Sequence, residues 1–163
     1  ASSWDRYHDP WSLYTDALAV MRKVEYDGRP IQIEGYPNLY IGSAGAAYNF
    51  SGLNEANISH ILDVTPSVIP RFPGVFEYMR IEDVHDYDEV EDGEKLAAHL
   101  PYSTQFIRNA LEQGGTVLVH CSEGRSRSAT LIAVYLMQTQ GVYRDGALAL
   151  IRKTRPIAYP SSS

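Results

Sequence analysis

The sequence predicts an α/β fold with a central mixed, mainly parallel sheet flanked by helices. Three short segments are typical of strands, and they lie at residues 58–64, 76–81 and 116–119. The third is apolar throughout, as strands buried inside a sheet are. Helical patterns alternate with these segments, at residues 44–55, 101–112 and 127–140. Strands and helices in this order typically form a parallel sheet covered by helices.

Composition and charge limit the possible functions. The 163 residues suffice for one domain with a real core. A net charge of −6 makes a broadly basic nucleic-acid surface unlikely to form, so no nucleic-acid partner is expected. No apolar run approaches the roughly 18 residues that a membrane helix needs. Cys121 is the only cysteine, which excludes an intrachain disulfide and favours a reducing compartment, the cytoplasm or nucleus.

The first 30 residues are expected to be an extension that contains one helix. Asp9 is suited to the N-cap and Pro10 to the first helical position. Apolar residues then recur at helical spacing and form one stripe that should pack on the main domain: Trp11, Tyr14, Leu18 and Met21. The main domain is expected over residues 31–163.

The main domain begins with a predicted strand pair at residues 31–34 and 38–41. An acidic loop at residues 82–94 follows the strand at 76–81. The helix at 127–140 is apolar nearly all round, so it should be central in the fold. A last helix is expected at 144–153.

The most informative segment runs from the predicted strand at 116–119 into the helix at 127–140. Five residues separate Cys121 from Arg127, enough for a tight loop whose amides converge on one point. Ligands bind at such carboxyl ends of strands, and the first turn of a helix offers unpaired N–H groups to an anion. Gly124 gives the loop the freedom to curve. The segment therefore predicts a phosphate-binding loop.

Cys121 would be the nucleophile in this loop, because helix N-termini and nearby cations lower the pKa of a thiol. Arg127 would clamp two phosphate oxygens with its planar fork. Ser128 can donate a hydrogen bond to the sulfur, and His120 is expected to order the loop. A lone cysteine is often only a buried structural thiol. The surrounding histidine, glycine and arginine favour the catalytic interpretation.

The pattern His120-Cys121-x-x-Gly124-x-x-Arg127-Ser128 resembles the signature of the cysteine-dependent protein tyrosine phosphatase superfamily. The flanking sequences at residues 126–130 and 147–152 are similar to those of the dual-specificity branch. Upstream segments at residues 39–43 and 58–65 are similar to that family's opening strands. The resemblance extends from about residue 32 to residue 160. Relatives usually continue into one more helix after residues 155–157, and this chain stops at residue 163.

The resemblance implies a catalytic domain at residues 31–163 that hydrolyses phosphotyrosine, phosphoserine and phosphothreonine through a phosphocysteine intermediate. It implies no metal, no cofactor, and phosphorylated protein substrates, including MAP-kinase-like ones. Phosphate or sulfate would bind the loop residues, which are Ser122, Glu123, Gly124, Arg125, Ser126 and Arg127.

The family also places a general acid, an aspartate, on the loop after the strand at 76–81. Here the candidates are Asp83, Asp86 and Asp88. The order Val84-His85-Asp86 is the most similar to the family pattern, so Asp86 is the preferred candidate. Arg155 lies where relatives carry a basic residue near the mouth of the pocket, and it is expected to contact the substrate. A solvated helix end is the alternative interpretation of Arg155.

Two other functions stay open on the sequence alone. A phosphoinositide or RNA phosphatase of the same superfamily is one, although lipid-directed relatives usually carry lysines where this loop has Glu123 and Arg125. The other is a pseudophosphatase that binds phosphate without hydrolysing it. The retained Cys121 argues against that function.

Overall fold

Five short strands form the sheet that organises the molecule. The computed structural model describes Leu13 and residues 28–84, 90–122 and 127–154. Within these residues the strands are β1 (Ile31–Ile33), β2 (Tyr36–Gly42), β3 (His60–Asp63), β4 (Glu77–Arg80) and β5 (Val117–His120). Their order across the sheet is β1-β2-β5-β3-β4. Only β1 and β2 are antiparallel, and the other pairs are parallel. The predicted mixed, mainly parallel sheet is therefore confirmed.

Helices pack around this sheet at five described segments. These are α1 (Ala44–Tyr48), α2 (Phe50–Glu55), α3 (Val90–Glu112), α4 (Arg127–Gln140) and α5 (Arg144–Lys153). The helix predicted at residues 44–55 is thus two helices. Asn49 separates them because its side chain caps α2, accepting a hydrogen bond from the amide of Gly52 at 3.1 Å.

Helix α3 begins earlier than the sequence indicated. Pro101 was expected at a helix start, and residues up to 94 in a loop, but the helix extends from Val90 to Glu112 with Pro101 inside it. Proline removes one backbone donor from the helix. At this turn side-chain hydroxyls donate to carbonyls: Ser103 to His99 at 2.9 Å, and Thr104 to Leu100 at 2.6 Å.

The sheet separates two apolar clusters because alternate residues of each strand face opposite sides. On one side Leu62, Val117 and Val119 pack in the main core with α4. On the other, Ile61 and Leu118 belong to a smaller cluster with residues of α1 and α2. Every residue of α4 from position 127 to position 137 is buried, so its predicted central position is confirmed.

The extension predicted at residues 1–30 is described only in small part. Leu13 is helical and fully buried in the main core. The predicted apolar stripe lies outside the described residues, and the domain boundary at residue 31 stays a prediction. Among the helices that the structure describes, none has the length and apolar character to cross a membrane.

Gly42, the last residue of β2, lies where the chain turns into α1, and it has no room for a side chain. A Cβ placed there would lie 2.6 Å from Cβ of Ala46 and 3.3 Å from Cδ1 of Leu118. The nearer atom, Cβ of Ala46, is fixed to the backbone of α1 and cannot move away on its own. The close packing of α1 on the end of β2 therefore depends on glycine.

We expect Gly42→Ala to lower the free energy of unfolding by roughly 1–3 kcal/mol, because the added methyl group overpacks this contact. Gly28→Ala is the matched control, since a Cβ at Gly28 has nothing within 4 Å. Chemical denaturation followed by circular dichroism measures both variants. Equal stabilities of the two would contradict the packing argument.

Candidate active site

Four strands end side by side at one edge of the sheet. In the strand registers Gly42 of β2 pairs with His120 of β5, His120 with Asp63 of β3, and Asp63 with Arg80 of β4. The carboxyl ends of parallel strands are where open α/β sheets bind ligands. Cys121 directly follows this row. The predicted nucleophile is therefore at the edge of the sheet that suits a binding site.

Cys121 and Ser128 are in contact at the carboxyl ends of these strands. The thiol is fully buried, and its Sγ is 3.3 Å from Oγ of Ser128 in the first turn of α4. The predicted contact between the sulfur and the serine hydroxyl is present. Because the amides of Arg127 and Ser128 also approach the sulfur, the N-terminus of α4 faces it directly.

The ionisation of Cys121 differs from the sequence expectation. Burial is the largest influence, and it raises the pKa of the thiol above its usual value. Hydrogen bonds from Ser128 and from the amide of Arg127 oppose that rise, and the negative charge of Asp63 adds to it. The expected lowering by the helix N-terminus is thus outweighed by desolvation, which sequence spacing does not reveal.

Arg127 is the largest side chain among the fully buried ones. Its Nη1 donates to the carbonyl of Val84 at 2.6 Å, and its Nη2 donates to Oγ of Ser122 at 2.6 Å. The guanidinium thereby joins α4 to the cysteine loop and to the chain that leaves β4. A buried cation held by these partners has an orientation fixed for binding an anion at the loop.

His120 is buried beside Cys121 and is neutral near pH 7. Desolvation lowers its pKa to about 4, although its contact with the backbone of Cys121 acts in the opposite direction. Its Nε2 lies 3.7 Å from Oδ1 of Asp63. A histidine this hard to protonate is a poor base near neutral pH, and its position suits the predicted structural role.

Asp63 is the residue of this site that sequence reasoning did not single out. Its carboxyl group is 1% exposed, and Oδ2 lies 3.3 Å from Nε of Arg80. Burial raises its pKa to about 7, while Arg80 and Arg127 act to lower it. One signal was present: an aspartate interrupts the otherwise apolar run at residues 61–64, next to the predicted binding edge.

The loop after β4 is fixed at its base. Val84 is fully buried, and its carbonyl accepts the hydrogen bond from Arg127. Asp83 pairs instead with His99 of α3, with 2.6 Å between Oδ1 and Nε2. One of the three candidate acids, Asp83, is thus paired with a histidine of α3. The other two, Asp86 and Asp88, lie outside the described residues.

Other predicted site residues also lie outside the described part of the chain. They are Glu123, Gly124, Arg125 and Ser126 of the loop, and Arg155 after α5. Their roles stay predictions. Within the described residues, no group of three or more histidine, cysteine, aspartate or glutamate side chains is arranged to hold a metal ion.

Comparison with known proteins shows the family to which the chain belongs. The family model described as "Dual specificity phosphatase, catalytic domain" matches residues 39–163. Dual specificity protein phosphatase 1 of Arabidopsis thaliana is 37% identical over 147 residues, which are 89% of this chain and 70% of that protein. Dual specificity protein phosphatase Mpk3 of Drosophila melanogaster is 34% identical over 139 residues, 83% of this chain and 32% of that protein.

A solved structure extends the comparison to three dimensions. The crystal structure of human DUSP28 matches with a TM-score of 0.69 and 30% identity, covering 85% of this chain and 89% of that one. A buried cysteine between a central strand and a central helix, with an arginine at the helix start, defines a cysteine-dependent phosphatase. The chain belongs to the dual specificity phosphatase family, and most of its length is the catalytic domain.

The raised pKa of Asp63 has a consequence for stability. A folded-state pKa of about 7, against 3.8 for an ordinary aspartate, means that the folded protein holds this proton more tightly than the unfolded chain. The stabilising effect is full below about pH 4 and is lost as pH rises through about 7.

We therefore expect Asp63→Asn, which resembles the protonated acid in shape, to gain in Tm relative to the wild type as pH rises from about 5 to about 8. Glu82→Gln is the control, because Glu82 also pairs with Arg80, at 2.5 Å, but its side chain is 63% exposed. Thermal unfolding at the two pH values measures the difference. A constant Tm difference for Asp63→Asn would show that Asp63 does not titrate in this range.

Proposed function

We propose that this dual specificity phosphatase hydrolyses phosphotyrosine, phosphoserine and phosphothreonine in phosphorylated proteins through a phosphocysteine at Cys121. The observation that carries the proposal is the group formed by Cys121, Ser128 and Arg127, buried together at the junction of β5 and α4. The arrangement joins a nucleophile, a donor to its sulfur and a fixed cation within one strand-to-helix turn. Phosphoryl transfer needs this combination of positioning and electrostatic stabilisation.

In the first step the thiolate of Cys121 attacks phosphorus, and the bond to the leaving oxygen breaks. Arg127 and the amides of residues 122–127 stabilise the charge on the equatorial oxygens. Asp86 gives its proton to the leaving oxygen. The products of this step are the dephosphorylated side chain and a phosphocysteine.

In the second step water attacks the phosphocysteine. Asp86, now ionised, takes a proton from that water, and inorganic phosphate leaves. The sulfur departs as a thiolate, which the hydroxyl of Ser128 stabilises by a hydrogen bond from 3.3 Å away. His120 holds the start of the loop throughout.

The substrate class rests on the family and on a few residues. Relatives include protein phosphatases by name, and we propose phosphorylated proteins, including MAP-kinase-like ones, as substrates. Arg155 would contact a second phosphate or an acidic residue of the substrate. We further propose a reducing compartment, the cytoplasm or nucleus, because the single cysteine must stay a thiol. A panel of phosphopeptides, phosphoinositides and 5′-phosphorylated RNA distinguishes protein substrates from the other two classes.

We expect Cys121→Ser to abolish turnover of an aryl phosphate yet retain binding of phosphate-bearing peptides, because Arg127 and the loop amides remain. Arg127→Lys should lower kcat/KM by roughly 10²–10³-fold, since an ammonium group does not reproduce the two-point fork. Arg152→Lys, at the exposed end of α5, is the matched control and should retain normal rates. More than a few per cent of wild-type activity in Cys121→Ser would disprove the nucleophile assignment.

The general acid is tested by its dependence on the leaving group. We expect Asp86→Asn to lower kcat by roughly 10²–10⁴-fold for alkyl and phenyl phosphates, and much less for esters whose leaving groups need no proton. Asp83→Asn and Asp88→Asn are the matched controls. If one of them shows the leaving-group pattern and Asp86→Asn does not, the acid is that other residue.

A further inference from the structure

Asp63 bridges the two strands on either side of β3 at the active-site edge. Its register partners are His120 of β5 and Arg80 of β4. One carboxylate oxygen, Oδ2, faces Nε of Arg80 at 3.3 Å, and the other, Oδ1, faces Nε2 of His120 at 3.7 Å. Since His120 precedes Cys121 in the chain, the orientation of the imidazole and the start of the catalytic loop are mechanically linked.

We propose that Asp63 is a positioning residue of the phosphatase reaction, which holds His120 and the adjoining Cys121 backbone from the neighbouring strand and places a carboxylate close to the thiol. The inference rests on the proposed function, because it assigns Asp63 a role in the reaction at Cys121. It adds a residue that lies outside the cysteine loop and its signature.

The contact geometry supports the positioning role. Oδ1 of Asp63 is buried and has no hydrogen-bond partner among the described residues. The nearest identified polar group is the imidazole of His120, which is itself 1% exposed. Leaving a buried polar atom unsatisfied costs free energy. A small closure of the 3.7 Å separation would satisfy it, so Asp63 constrains where the His120 ring lies.

The charges around Asp63 support the electrostatic role. Arg80 faces it from β4 and Arg127 from α4, and both favour its ionised form, whereas Glu82 disfavours it. His120 faces it from β5 and is neutral above about pH 4. Burial raises the pKa of Asp63 to about 7, so its own charge varies near neutrality.

The charge of Asp63 consequently affects the ionisation of Cys121. An ionised Asp63 raises the pKa of the Cys121 thiol. A protonated Asp63 removes this opposition. Because only the thiolate attacks phosphorus, the proton on Asp63 bears directly on the fraction of active enzyme.

The electrostatic part is tested without turnover. The whole chain has one cysteine, so labelling it with ¹³C at Cβ gives a single NMR resonance that reports the ionisation of Cys121. We expect Asp63→Asn to lower the pKa of Cys121 relative to the wild type. Glu82→Gln removes the exposed partner of the same Arg80 but keeps the carboxylate of Asp63, so it should not lower that pKa. A wild-type titration curve in Asp63→Asn would overturn the inference.

The positioning part is tested by kinetics on an aryl phosphate. Asp63→Asn keeps polar atoms towards both neighbours, so its kcat should remain near the wild-type value while the ascending limb of kcat/KM moves to lower pH. Asp63→Ala leaves His120 unsupported and should lower kcat by on the order of 10–100-fold with a smaller change in KM. Normal kcat in a folded Asp63→Ala would refute the positioning role.

The two measurements separate this inference from the proposed function. Absence of turnover in the wild type, together with a lowered Cys121 pKa in Asp63→Asn, would refute the phosphatase mechanism and leave the charge relation standing. If Asp63→Ala does not fold, Asp63→Asn still tests the inference. An unchanged pH dependence of kcat/KM together with an unchanged titration of the Cys121 resonance in Asp63→Asn would overturn it.

Discussion

The burial of the Arg127 guanidinium is the constraint on which the site depends. A cation removed from water is costly unless fixed acceptors surround it, and Arg127 is fully buried. Its acceptors come from the base of the loop after β4 and from the cysteine loop, at Val84 and Ser122. The loop after β4, which is distant in sequence, is thereby held beside the cysteine loop and the start of α4. The base of the loop after β4 and the start of the cysteine loop both contact this guanidinium.

Local sequence was sufficient for the features whose partners are close along the chain. The apolar strand before Cys121 and the apolar helix after it predicted the loop, because hydrophobic periodicity reports burial directly. The contact between Ser128 and the sulfur could also be predicted, because Ser128 lies in the first turn of the helix that follows the loop. The start of α3 was mispredicted: the sequence analysis placed it at residue 101, whereas the helix begins at Val90 and continues through Pro101.

Features created by register between strands could not be predicted in this way. Asp63 and His120 are 57 positions apart, and only the pairing of β3 with β5 brings them together. The raised pKa of Cys121 has a similar origin. A strand-to-helix loop predicts a lowered pKa, but the opposing desolvation depends on α4 and the sheet enclosing the thiol from all sides. Because desolvation and the helix N-terminus shift the pKa of Cys121 in opposite directions, the net shift is known only from the three-dimensional arrangement.

The hydrogen bond from Arg127 to Val84 ends on a backbone carbonyl, and this determines which sequence changes the contact tolerates. Any amino acid that keeps the same backbone path offers the same acceptor, so single-codon substitutions at position 84 leave the bond to Arg127 in place. An insertion or deletion between β4 and residue 84 would instead move the carbonyl away from the guanidinium. The hydrogen bond therefore restricts the length of this segment, whereas the burial of Val84 restricts the side chain at that position to an apolar one.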